Sequence, residues 1–303
     1  SDGSRGVNLA TAVDGTSPLD VGQCATLACL LEVIVPKPGN VHRGADFADL
    51  TFADFATAAV AIGPAMQRAA KGAPIGQAVY DAVAATRQFT ATNVNLGIVL
   101  LFSPLAAATT AGRSPDALRK GLRNVLAGLS PEDSAQVYAA IGLANPGGMG
   151  RVAEADVACS PPADLLHAMR LAADRDAIAR QYVNGFADLF DLIVPQLAQE
   201  VAAGRGLSDA VIRTQLHVLR QMPDTLIARK CGAAMAQQVA EGAEQVLQAA
   251  ELGEEAFHES LADFDFWLRS DGHRRNPGTT ADLLAAALFV LLLTDGVPRP
   301  LQL

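Results

Sequence analysis

The sequence predicts an all-α protein, a single compact multi-helix domain over residues 17–303 behind a flexible N-terminus of residues 1–16. Three observations predict it. Apolar residues recur at three- and four-residue spacing through most of the chain. Serine, threonine or aspartate, often with a following proline, stands where each apolar stretch begins. No stretch alternates apolar and polar residues with a period of two, and none carries a hairpin turn. Half of the 303 residues are hydrophobic, mostly Ala, Leu and Val, which lets helices approach closely around a large core.

The elements follow in order. Ser17-Pro18 is read as a cap and first turn of a helix that Pro36 ends. Thr51 and Asp54 form a capping-box pattern for a helix burying Phe52, Phe55, Ala59, Ile62 and Met66. Lys71–Pro74 closes that helix, and another runs from about Ile75 to Phe89. A polar break over 90–97 precedes an apolar helix from Ile98 to Ala108, and Asn93 and Asn95 stand at its N-terminus. A cap needs one of them, which leaves the other for a ligand. Ser114-Pro115 and Ser130-Pro131 each open a helix. A glycine-rich segment over 145–157 separates these from a helix over 163–173. The next begins near Asp176 and is kinked or divided by Pro195. Helices over 207–221, a long one opening at Pro223-Asp224-Thr225 and one over 254–269 follow. The apolar run Leu283–Leu293, too short for a membrane span, reads as a buried C-terminal helix.

The net charge of -9 argues against broad binding to nucleic acid or an anionic membrane surface, but leaves room for a local basic pocket. The four cysteines, Cys24, Cys29, Cys159 and Cys231, form no C-x-x-C pair. They read as reduced structural thiols of a cytoplasmic protein. Ala-rich helices are compatible with a homodimer as well as with core burial.

Chemistry concentrates in the loops. Between two helices lies Val35-Pro36-Lys37-Pro38-Gly39-Asn40-Val41-His42-Arg43, with Asp46 and Asp49 close behind. Two prolines stiffen it, and Gly39 permits a turn or a close approach. Further polar loops carry Arg151, Glu154 and Asp156; Asp224, Arg229 and Lys230; and Arg275, Asn276, Thr279, Thr280 and Asp282. Converging between helices, they would join cations suited to phosphate with carboxylates suited to Mg²⁺, a hard cation that takes oxygen ligands and substrate phosphates. Each residue also has a plainer reading: Asp224 and Asp282 as supports of helix N-termini, Arg229 and Lys230 as a solvated face. His167, His217 and His258 sit in amphipathic segments and read as structural. The glycine-rich segment lacks the P-loop pattern and follows no strand. No zinc or serine-hydrolase motif is present.

Several of these motifs resemble the triphosphoribosyl-dephospho-CoA synthase family of citrate lyase and malonate decarboxylase systems. Glu32-Val33 with Pro36-Lys37-Pro38-Gly39 resembles the family's first signature. Gly150-Arg151 with Glu154 resembles a G-x-R-G-E-like loop, and Asp224-Thr225 with Arg229 a D-[ST]-x-x-x-R segment. The run from Asn276 to Ala285 is similar to N-P-G-G-S-A-D-L-L-A. The resemblance spans about Ala25 to Leu292. It implies an all-helical enzyme that joins ATP to 3′-dephospho-CoA, keeps the triphosphate and releases adenine.

It further implies a catalytic set of Glu154, Asp156 and Asp282. By the resemblance Lys37, Arg151, Arg229 and Lys230 would hold phosphates, and the reading of the polar loops adds Gly39, Asn40, His42, Arg43, Asn93, Asn95, Asn276, Thr279 and Thr280 as substrate contacts. Mg²⁺ would be held among Asp46, Glu154, Asp156 and Asp282. Two segments depart from the family. Asn93-Val94-Asn95-Leu96-Gly97 stands where an N-T-H-K-G run is frequent, and Arg229-Lys230-Cys231-Gly232 where an R-G-G-like segment is. The alternatives are a divergent member acting on another cofactor precursor, for example in one-carbon carrier biosynthesis, and a non-catalytic helical protein that binds a nucleotide or cofactor.

Overall fold

Two very apolar helices form the centre of the protein, and both begin at the same polar cleft. The structure is a computed structural model that describes residues 17–145 and 162–303. Among the described residues there are fourteen α-helices and no strand, only two isolated bridges in the loop after the first helix. They are α1 (Val21–Ile34), α2 (Phe52–Ala69), α3 (Ile75–Arg87), α4 (Leu96–Ala108), α5 (Pro115–Ala127), α6 (Pro131–Ala144), α7 (Leu165–Ala172) and α8 (Ala177–Asn184). These are followed by α9 (Val194–Ala202), α10 (Leu207–Gln221), α11 (Thr225–Cys231), α12 (Ala233–Ala250), α13 (Glu254–Arg269) and α14 (Gly278–Leu293).

Local chemistry sets most boundaries as expected. Thr51 and Asp54 form the capping box of α2, and Ser130 and Asp133 that of α6. Ser114 caps α5 ahead of Pro115. Three boundaries differ from the reading of the sequence. Asp20, not Ser17, caps α1, because Asp20 and Gln23 form a reciprocal capping box. Pro195 lies in the first turn of α9, and a π-helical turn over Asp188–Ile193 precedes it. The helix opening at Asp224 is short: Gly232 takes φ +91°, which ends α11 and lets α12 leave in a new direction.

One continuous hydrophobic core runs from Val21 to Val297. α14 lies within it, packed on α1, α4 and α10, and Phe289 of α14 stacks on Phe102 of α4 at 4.4 Å. From Thr279 to Leu293 every residue of α14 is buried except Asp282. Every residue of α4 is buried except Gly97. A helix hydrophobic all round belongs in a core, so each helix has one residue left to meet something else. Cys24 and Cys29 are free and buried in α1, and Cys231 is free and half-buried; Cys159 lies outside the described residues. Among the described residues no single helix is long and apolar enough to cross a membrane.

Candidate functional site

The two motifs farthest apart in the sequence meet in space. Asn40 Nδ2 donates to Asn276 Oδ1 at 2.6 Å, and Gln215 Nε2 donates to Asn40 Oδ1 at 2.8 Å and to the Pro38 carbonyl at 3.2 Å. Gly39 has φ +77° and donates its N–H to Asp265 Oδ1 at 2.7 Å. A Cβ there would lie 2.9 Å from both Leu268 Cδ1 and Pro277 Cδ. This position therefore needs glycine for both its backbone and its packing.

Beside this junction opens a cleft of about 490 Å³. Helix ends build its walls: the first turns of α4, α8 and α14, the C-terminal ends of α3 and α6, and the short α11. Of the residues the sequence singled out, Asn40, Asn93, Asn95, Arg229, Lys230, Asn276, Thr279 and Asp282 line it, together with Asp49. Lys37, Gly39, His42, Arg43, Asp46 and Thr280 do not. Arg43 is exposed, and Asp46 accepts the Phe52 N–H at 2.6 Å. His42 bonds locally to the Gly44 N–H; burial, aided by Arg269, pushes its imidazole below the usual range. Arg275 stacks on Trp267 outside the cleft. Arg151, Glu154 and Asp156 lie outside the described residues.

The cleft also holds residues that sequence reasoning left out of the site: Glu32, Arg87, Asp176 and His273. Glu32 lies in the P-K-P-G signature's own helix. His273 belongs to the last polar loop and meets Asp49 at 2.9 Å. Asp176 caps α8 and takes Arg229 Nη1 at 2.9 Å. Nothing in the sequence marks Arg87, which bonds the Thr90 and Ala91 carbonyls at the end of α3.

Several donors in the cleft wall are unused. Asn93 Oδ1 takes the Leu96 N–H, while Asn95 turns its amide to Thr86. No described residue accepts the N–H groups of Gly97 and Ile98 in α4 or of Thr279 in α14. Lys230 has no described hydrogen-bond partner, and Arg229 Nε is buried without one. Burial pushes the Lys230 amine below its usual range, which Asp224 partly offsets. Free N–H groups at helix N-termini beside cations suit an anion with several oxygens.

Asp282 stands among them as an unpaired carboxylate. It makes no hydrogen bond or ion pair with any described residue. A Cβ on Gly97 would fall 2.0 Å from Asp282 Oδ2, so the carboxylate lies directly against the first turn of α4. Burial pushes the Asp282 carboxyl well above the usual range. Negative charge on Glu32, Asp224 and Asp176 adds to the rise, and Arg229 opposes it.

No three His, Cys, Asp or Glu side chains among the described residues form a group that could hold a metal ion. Mg²⁺ needs fewer, since it uses one or two carboxylates with substrate phosphates. Asp176 and Glu32 are held by Arg229 and Lys37, so Asp282 is the carboxylate whose lone pairs fit that need.

Comparisons with known proteins agree with this architecture. A protein of Pseudomonas syringae pv. tomato named as a 2-(5''-triphosphoribosyl)-3'-dephosphocoenzyme-A synthase is 32% identical over 110 residues, 36% of this chain and 37% of that one. One of Pseudomonas savastanoi pv. phaseolicola with the same name is 28% identical over 152 residues, 44% of this chain and 52% of that one. The chain thus spans about a third to a half of the length of these curated relatives. A crystal structure from Archaeoglobus fulgidus, provisionally named triphosphoribosyl-dephospho-CoA synthase, superposes with a TM-score of 0.58 at 27% identity. It covers 78% of this chain and 97% of its own. The sequence profile of the ATP:dephospho-CoA triphosphoribosyl transferase family matches residues 18–300. The chain belongs to the ATP:dephospho-CoA triphosphoribosyl transferase family.

Proposed function

We propose that the cleft binds ATP and 3′-dephospho-CoA and transfers the triphosphoribosyl group between them, releasing adenine. One observation carries this reading beyond family membership. Unused cationic and N–H donors share a wall with an unpaired carboxylate, Asp282, that lies against a helix N-terminus. Lys230, Arg229 and the first turns of α4 and α14 would hold the triphosphate. The acceptor hydroxyl oxygen then attacks the anomeric carbon of the ATP ribose. A C–O bond forms as the C–N bond to adenine breaks, and the hydroxyl proton passes by way of Asp282 to the departing base. A carboxyl raised above its ordinary range is a stronger base for that proton, and the negative charge of Glu32 favours the cationic sugar at the transition state.

Asp282 is the residue that would hold Mg²⁺, which would supply charge neutralisation for the triphosphate. The motif alone assigns Arg151 to phosphate and Glu154 and Asp156 to metal or hydroxyl.

The test is a mass-spectrometric assay with ATP, Mg²⁺ and 3′-dephospho-CoA. Free adenine and a triphosphoribosyl adduct are expected in equal amounts, dependent on enzyme and metal. ADP, or adenine with free sugar triphosphate, would point to another reaction class. A second reading keeps the donor and changes the acceptor. It rests on Asn93–Gly97, which lines the cleft with two amides in place of the N-T-H-K-G run that the resemblance leads one to expect. Adenine release with another cofactor precursor, but none with dephospho-CoA, would select it.

A further inference from the structure

Lys37 belongs to the signature loop, yet its charge does not reach the cleft. The side chain is 0% exposed. Its Nζ lies 2.9 Å from Glu32 Oε1 and 3.5 Å from the Val35 carbonyl, and it also donates to the Glu32 carbonyl. An ammonium has three N–H donors, and these three acceptors use them all. Pro36 and Pro38 fix the turn that aims the side chain inward.

Glu32, its partner, is part of the cleft wall, as is Asp282. Glu32 and Asp282 therefore face the same cavity from α1 and α14. A buried carboxylate stripped of its cation is strongly disfavoured, so the pair holds Glu32 in place.

We propose that Lys37 is a positioning residue and not a phosphate ligand. Its ammonium, sealed behind the wall, fixes the position of the Glu32 carboxylate in the cleft. The expected turnover rests on the function proposed above, but the placement of Glu32 by Lys37 holds whatever the substrate.

The test compares wild type, K37M, E32Q and the neutral pair E32Q/K37M at pH 7. Calorimetry reads ATP binding, and infrared spectroscopy reads the protonated carboxyl band. K37M is expected to keep the ATP Kd within about 2-fold and to gain a protonated carboxyl band that the double variant lacks. Its turnover falls by about 100-fold with little change in KM for ATP, the size of a lost electrostatic contribution. The double variant is expected to be no slower than E32Q, because the two residues act as one unit. A Kd for ATP weakened tenfold or more in K37M, or the absence of the new band, overturns the proposal. If K37M alone does not fold, E32Q/K37M decides: ATP binding equal to that of E32Q supports it, and a tenfold loss relative to E32Q overturns it. If wild type releases no adenine with dephospho-CoA, the proposed function fails, while the infrared band still decides the role of Lys37.

Discussion

Asp224 and Asp282 stand near the same helix start, and their surroundings differ. Asp224 is buried and satisfied on both oxygens. Oδ1 accepts the Leu226 and Ile227 N–H groups, and Oδ2 accepts the Thr280 N–H and hydroxyl, each at 2.8–3.0 Å. It joins the first turns of α11 and α14. Asp282, one turn away, has no such donors. Burial pushes both carboxyls upward, but backbone and hydroxyl donors restrain the rise at Asp224, whereas carboxylate neighbours increase it at Asp282. The comparison teaches that hydrogen-bond satisfaction separates a structural aspartate from one available for chemistry.

Substitutions can break that contrast. D282N is expected to have the largest effect on turnover, a loss of about 10²–10⁴-fold, with the fold intact by circular dichroism. A folded D282N enzyme with wild-type turnover would erase the distinction. D224A is expected to do the reverse: it should cost about 3 kcal/mol of stability in urea unfolding, through a lost cap and lost charge-assisted hydrogen bonds. Any turnover loss should follow the unfolded fraction. G97A sharpens the picture. Its Cβ has no room beside Asp282 Oδ2, so the carboxylate must move, and kcat should fall by about 10–100-fold although alanine suits a helix. T280A removes one donor to Asp224 and should cost about 1 kcal/mol, the smallest of these effects.

The pH dependence gives a fifth test. A folded state that raises a carboxyl's proton affinity binds more protons than the unfolded chain. Stability from this source is fully present below about pH 4 and is lost as pH rises through the folded value. D282N removes the larger share. Its melting temperature should exceed that of wild type at pH 8, and the gap should close toward pH 4. A gap that widens toward pH 4 would contradict the placement of Asp282.

Much of the fold was legible in the sequence, because caps and apolar runs are local. Thr51, Ser114, Ser130 and the run Leu283–Leu293 each announce an element without help from the rest of the chain. Less of the site was legible. Asn276–Asp282 carried its own signal, and Asp224 was correctly weighed as a cap. The convergence of Asn40 with Asn276, 236 positions apart, is not written in either loop. Glu32 was hidden because its charge is matched by Lys37 inside an apolar helix, and Arg87 because it resembles any arginine at a helix end. Lys37 shows the opposite error: a cation in a polar loop looks available until its neighbours are known. The single long helix expected after Asp224 failed at Gly232, whose positive φ is a property of the turn, not of the hydrophobic pattern.

α14 has one last consequence. Its first turn forms a wall of the cleft, and the rest of it is enclosed by the core. That wall is therefore mounted on an element that can open to solvent only if the core is breached, and its amides should be among the slowest to exchange with deuterium.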